Sequence, residues 1–125
     1  MTRVNVVPVE ELCDKHLLAE YRELPRVFKL ARQRLPGEKF PTAYTLGAGH
    51  IKFFYDKLLF LTARFTDIVN ECEKRGFNIK YFSVLEFLTW APPILYKTWT
   101  PTPEALALNR ARLAERISQF KRPSK

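Results

Sequence analysis

Cysteine is scarce in this chain. Cys13 and Cys72 are the two among 125 residues, each inside a helical pattern, and they read as reduced, packed thiols rather than as the staples of a disulfide scaffold. Metal-ligand spacing is lacking too: Cys13 and His16 stand three apart with nothing to complete a shell, so neither a metal nor another cofactor is expected. No apolar run approaches the about 20 residues that cross a bilayer, and the opening Thr2-Arg3-Val4-Asn5-Val6-Val7 lacks the layout of a secretory signal. An intracellular protein with no membrane partner is the expectation. Acidic residues are outnumbered by basic ones, 13 to 21, for a formal charge of +8. That balance favours a polyanionic partner, with nucleic acid the first candidate and an acidic membrane surface the second. Internal repeats are missing, and 46% apolar content over 125 residues suffices for one core but not two. The chain reads as a single domain over residues 1–125.

Hydrophobic periodicity supplies the fold class. Residues 1 to 9 are β-branched and interrupted by Pro8, an extended arm leading into a helix from about Glu10 to Arg34. Leu17, Tyr21, Leu24, Phe28, Ala31 and Leu35 recur at steps of four and three as one buried stripe of that helix. Pro25 sits within it and should kink it, because the ring cannot donate to the Tyr21 carbonyl and clashes with the preceding turn. Pro36-Gly37 and Pro41 then mark a loop. A second pattern runs from about Gly49 to Arg75, with Phe54, Leu58, Leu61, Phe65, Ile68 and Cys72 as its stripe, and Gly76 is placed to cap it in the left-handed conformation. Residues 77 to 102 are less regular. Ser83 to Leu88 allow a short helical turn, while Pro92-Pro93 and Pro101 forbid a long one. A last helix should begin near Pro103 and end near Phe120. The reading is an all-α fold: a compact domain of three main helices with an extended N-terminal arm and a Pro-rich loop before the last helix.

The first helix carries the sharpest chemistry. Opposite its apolar stripe, Lys15, Arg22, Arg26 and Lys29 fall on one face with His16 and Glu23 on its flank, a carboxylate at the edge of a cationic strip. Two features elsewhere stay open between a functional and a plain structural role. Gly47-Ala48-Gly49 can present backbone N–H groups to a phosphate or simply make a turn. Tyr96 and Trp99, beside Lys97, can stack on unpaired bases or latch the loop onto the core.

Several blocks then occur in one order: Thr2-Arg3-Val4-Asn5, His16, Glu20-Tyr21-Arg22-Glu23-Leu24-Pro25-Arg26-Val27-Phe28, Leu46-Gly47-Ala48-Gly49-His50, Phe53-Phe54-Tyr55-Asp56-Lys57-Leu58, and Lys74-Arg75-Gly76-Phe77-Asn78-Ile79. In these the chain closely resembles the phage endonuclease V type of pyrimidine-dimer DNA glycosylases, from its first residue to about residue 80 and again at Ala111-Arg112-Leu113. The resemblance implies a DNA-repair glycosylase with abasic-site lyase activity. Its partner would be double-stranded DNA containing cyclobutane pyrimidine dimers or abasic sites, and the protein would act as a monomer. The nucleophile would be the α-amine of Thr2, exposed once Met1 is removed, and the product of its attack on the sugar an imine. An α-amine loses its proton far closer to neutrality than a lysine does, which suits it to the task. Glu23 would stabilise positive charge on the sugar or imine and assist proton transfer. Arg3, Lys15, His16, Arg22 and Arg26 would grip the DNA, Lys15 replacing a polar amide common in the family, and Arg112 and Arg116 would add backbone contacts from the last helix. In the family the duplex is kinked and the adenine opposite the lesion leaves the stack. A noncatalytic basic helical DNA-binding module on the same scaffold is the alternative.

Overall fold

The two apolar stripes of the sequence meet face to face. A computed structural model describes residues 4–33, 39–79 and 95–120, and among these the regular structure is helical. Helix α1 spans Asp14–Arg32, α2 spans Leu58–Lys74 and α3 spans Pro103–Phe120. Short 3-10 turns occupy Val9–Glu11 and Lys52–Phe54. Leu17, Leu24, Phe28 and Ala31 from α1 pack with Leu58, Leu61, Phe65, Ile68 and Cys72 from α2 in one core, and the ring of Tyr21 stacks on Phe65 at 5.9 Å. The fold is all-α. Leu35, the expected turn at Ser83–Leu88 and the pair Pro92-Pro93 lie outside the described residues.

Two helices start later than their periodicity suggests, for identifiable reasons. Val9–Glu11 closes as a 3-10 turn, after which Leu12 (ψ 136°) and Cys13 (ψ 163°) are extended, so α1 begins at Asp14 and not at Glu10. The second pattern divides similarly. Lys57 leaves helical geometry at φ −118°, ψ 46° and pairs with Tyr96 in an isolated antiparallel bridge. Residues before it therefore form turns and α2 begins at Leu58. Pro25 is buried within α1, which continues through it to Arg32.

Helix ends follow the expected chemistry. Gly76 has φ +83°; its N–H donates to the Glu73 carbonyl at 3.0 Å, and that of Phe77 to the Cys72 carbonyl at 3.0 Å. This pair of bonds is a Schellman cap, which favours glycine because a side chain is strained in the left-handed region. At the start of α3 the Thr102 hydroxyl accepts from the Ala105 N–H at 3.0 Å, and Pro103 occupies the first helical position, where its missing donor costs nothing.

Among the described residues the arm has no sheet to lie in, and side chains take its backbone donors. Val4, Val6 and Val7 are buried. Asn109, fully buried on α3, accepts from the N–H of Val6 at 2.7 Å and of Val7 at 3.1 Å. It also donates to the Asn5 side-chain carbonyl at 2.9 Å. Asn5 in turn donates to Glu20 on α1 at 2.9 Å. Glu20 is 1% exposed and is gripped by Arg64 of α2 through Nε and Nη2, whose Nη1 reaches back to the Val7 carbonyl. One polar network thus fastens the arm to all three helices.

Candidate active site

A cleft of about 300 Å³ opens between α1 and α3 beside the arm, lined by Asn5, His16, Ala19, Glu20, Glu23, Arg112, Leu113 and Arg116. Its floor follows from helical spacing. His16, Ala19, Glu20 and Glu23 stand at i, i+3, i+4 and i+7 on α1, and Arg112 and Arg116 one turn apart on α3, so each set shares a face. On α3, Ala105, Asn109 and Leu113 turn inward, which leaves Arg112 and Arg116 at the edge of the interface. Four of the residues singled out in the sequence therefore converge on one cavity: His16, Glu23, Arg112 and Arg116.

The electrostatics of that cavity are asymmetric. Glu23 is half-buried and accepts no hydrogen bond from the described residues. Arg110 on the same helix is different: it forms two bonds to the Glu11 carboxylate, at 3.0 and 2.8 Å, and those bonds hold the Glu11 carboxyl below its usual range. Among the described residues, the cations lining the cleft are thus Arg112 and Arg116. His16 sits among them half-buried, its Nδ1 3.4 Å from the Cys13 sulfur. Burial lowers its pKa, the charges of Arg116 and Lys15 lower it further, and Glu20 opposes them. A neutral imidazole surrounded by cations is ready to gain a proton when an anion arrives.

Lys15, Arg22 and Arg26 are exposed on α1 and lie beside the cleft without lining it. Thr2 and Arg3 fall outside the described residues. A second groove, of about 440 Å³ between the arm, α2 and the start of α3, is walled largely by Val6, Val7, Val9, Phe60 and Leu106 and contains none of the expected site residues. Convergent charge, not volume, marks the first as the candidate site.

Sequence reasoning passed over Asn5, Glu20 and Leu113. Glu20 had a visible signal. It lies three residues after Leu17 and four before Leu24, within the apolar stripe, where a carboxylate calls for a buried partner; Arg64, three after Leu61, is in the corresponding place on α2. Two features left open in the sequence also take definite places in the fold. Trp99 packs edge-on against Phe53 at 5.0 Å and Phe60 at 5.4 Å and stacks on Tyr44 at 5.8 Å, so it latches the loop onto the core. Gly47-Ala48-Gly49 forms a turn in which the His50 N–H donates to the Gly47 carbonyl at 3.0 Å and the Phe53 N–H to that of Gly49 at 3.0 Å.

The arm, α1, α2 and the glycine turn fall inside one stretch of recognisable sequence, while the cations of α3 lie beyond it. Residues 1–83 match the family model described as pyrimidine dimer DNA glycosylase, and the chain belongs to that family of DNA-repair enzymes.

Proposed function

We propose that the protein is a glycosylase with abasic-site lyase activity that acts on cyclobutane pyrimidine dimers in duplex DNA, using the α-amine of Thr2 after removal of Met1. The observation that carries this reading is the position of Asn5. Its side chain lines the same cleft as Glu23, Arg112 and Arg116, and the three residues from Asn5 to Thr2 span at most about 10–11 Å when extended. A terminal amine on that arm has the reach to meet a sugar held over Glu23.

The chemistry asks for few groups. The amine lone pair attacks C1′ and the glycosidic bond breaks, its electron pair leaving with the base, which is then protonated. Opening of the sugar ring gives a protonated imine; loss of a proton from C2′ expels the 3′ phosphate by β-elimination and nicks the strand. Glu23 faces the positive charge that develops at C1′ and on the imine, and serves as the proton acceptor nearest it. Arg112, Arg116 and His16 hold phosphates on one side of the lesion. Lys15, Arg22, Arg26 and Arg3 extend that surface along α1 and the arm. The whole chain would act as one domain and as a monomer, on a kinked duplex with a nucleotide turned out of the stack.

Borohydride added during reaction with an abasic duplex tests the imine. Wild-type protein whose mature N-terminus is shown by mass spectrometry to begin at Thr2 should be trapped covalently. Glu23→Gln should bind the duplex and lose most strand cleavage. A correctly processed protein that binds damaged DNA and is never trapped would instead be the noncatalytic DNA-binding module.

A further inference from the structure

We propose that His50 is a positioning residue for the terminal amine: its Nε2 accepts the backbone N–H of Val4 and so fixes the backbone at Val4, two residues from that amine. The proposal rests on the Thr2 reading of the preceding section. It starts from a hydrogen bond of 3.0 Å between the Val4 nitrogen and His50 Nε2, with Val4 fully buried and His50 5% exposed. A backbone N–H can only donate, so Nε2 carries the lone pair. The other ring nitrogen, Nδ1, lies 2.8 Å from the Thr45 carbonyl, which can only accept, so Nδ1 carries the proton. Both bonds together specify one neutral tautomer and one ring orientation. Tyr44 and Phe54 meet the ring edge-on, each at 5.6 Å between centroids, and hold that orientation by packing.

The glycine turn exists to put this ring there. Gly49 has φ +86°, and a Cβ at that position would stand 3.2 Å from Pro41 Cγ, so the reversal that brings His50 under the arm is one that a side chain would obstruct. Leu46-Gly47-Ala48-Gly49-His50, ambiguous in the sequence, thus serves the arm.

Independence from the rest of the arm's anchoring separates positioning from mere support. Asn5, Val6 and Val7 are secured by Asn109, Glu20 and Arg64, none of which needs His50. Removing the Nε2 acceptor leaves that network whole and releases the Val4 N–H, two residues from the amine. A misplacement of about 1 Å in a reacting group is enough for a large loss of rate.

The experiment compares His50→Gln and His50→Asn, amides that differ by one methylene; the Gln side chain reaches about as far as Nε2 and that of Asn falls short. Both variants and the wild type are assayed for single-turnover borohydride trapping on an abasic duplex, at a fixed interval below each protein's Tm, and for Kd on a duplex carrying an uncleavable abasic analogue. His50→Asn should be trapped at least about tenfold more slowly while its Kd stays within about threefold of wild type, and His50→Gln should recover most of the rate. Equal rates for the two variants would overturn the proposal, as would wild-type trapping by His50→Asn. A wild-type measurement needs no substitution: a through-hydrogen-bond coupling between the Val4 amide nitrogen and His50 Nε2 should be seen by NMR, and its absence would also overturn it. Failure of the wild type to be trapped at all would instead remove the imine reading on which the inference stands, even with that coupling present.

Discussion

Glu20 and Arg64 hold opposite charges in an interior that accepts neither alone. Their side chains are 1% and 6% exposed; Asn5 donates to the carboxylate as well, and the Val7 carbonyl accepts a further N–H of the guanidinium. A buried pair of this kind adds little over an apolar pair of equal volume, but stranding one member is costly. Glu20→Ala should therefore lower the unfolding free energy by about 3–5 kcal/mol in urea titrations, and a loss below about 1 kcal/mol would mean that Arg64 reaches solvent. His16 gives a prediction of a different kind. Its folded-state pKa lies below the usual histidine value near 6.5, so the unfolded chain binds the extra proton first. The stability tied to the neutral ring is whole above that usual value and is lost as pH falls through the lowered one. A phosphate entering the cleft reverses the balance by favouring the imidazolium beside Arg116 and Lys15. DNA binding near pH 6 should take up a proton, visible as a dependence of calorimetric enthalpy on buffer ionisation, and His16→Gln should abolish the dependence.

At the scale of elements, the arm finds no sheet partner among the described residues, and Asn109 takes the place of one. Asn109→Leu fills the same space but orphans the donors of Val6 and Val7, each costing about 1–3 kcal/mol when buried unsatisfied. Urea unfolding should register a loss in that range or above it, and Asn109→Asp, which keeps the acceptor, should lose less. This dependence on single side chains explains what the sequence concealed. Periodicity exposes helix faces, so Leu17, Leu24 and Phe28, the stripe of α2 and the cap at Gly76 were all readable. Pairings between residues about 100 positions apart, such as Val6 with Asn109, leave no periodic trace. Helix onsets were misread where local geometry overrode the pattern, at Leu12-Cys13 and at Lys57. Charge was the hardest signal. Glu23 and Arg116 line one cleft, a pairing across two helices that neither helix's pattern contains, while Glu20 and Arg64 look on paper like two more surface ions, and their burial follows only from the register of two apolar stripes that each must enter.

For the molecule as a whole, the formal charge of +8 matters less than which cations are still available for phosphates. Arg75 is bound to Glu71 at 2.8 Å and Asp14 at 2.9 Å, Arg64 is buried against Glu20, and Arg110 is held by Glu11. Lys57 and Lys97 share Asp56 at 3.0 and 3.3 Å. Arg112 and Arg116 face the cleft, and Arg22 and Arg26 are exposed on α1. Each phosphate neutralised by such a residue releases condensed counterions, contributing about −0.9 to the slope of log K against log salt. Arg112→Ala with Arg116→Ala should flatten that slope by about 2 on undamaged duplex, with an affinity loss that grows as salt is lowered. Arg110→Ala, on the same helix and of the same charge, should leave the slope nearly unchanged, because its guanidinium is already committed to a carboxylate. Fluorescence anisotropy of a labelled duplex across a salt series measures all three slopes. Flattening by Arg110→Ala of half that of the double variant would show that DNA responds to the net charge of the helix, and the cleft between α1 and α3 would lose its claim to be the place where the duplex sits.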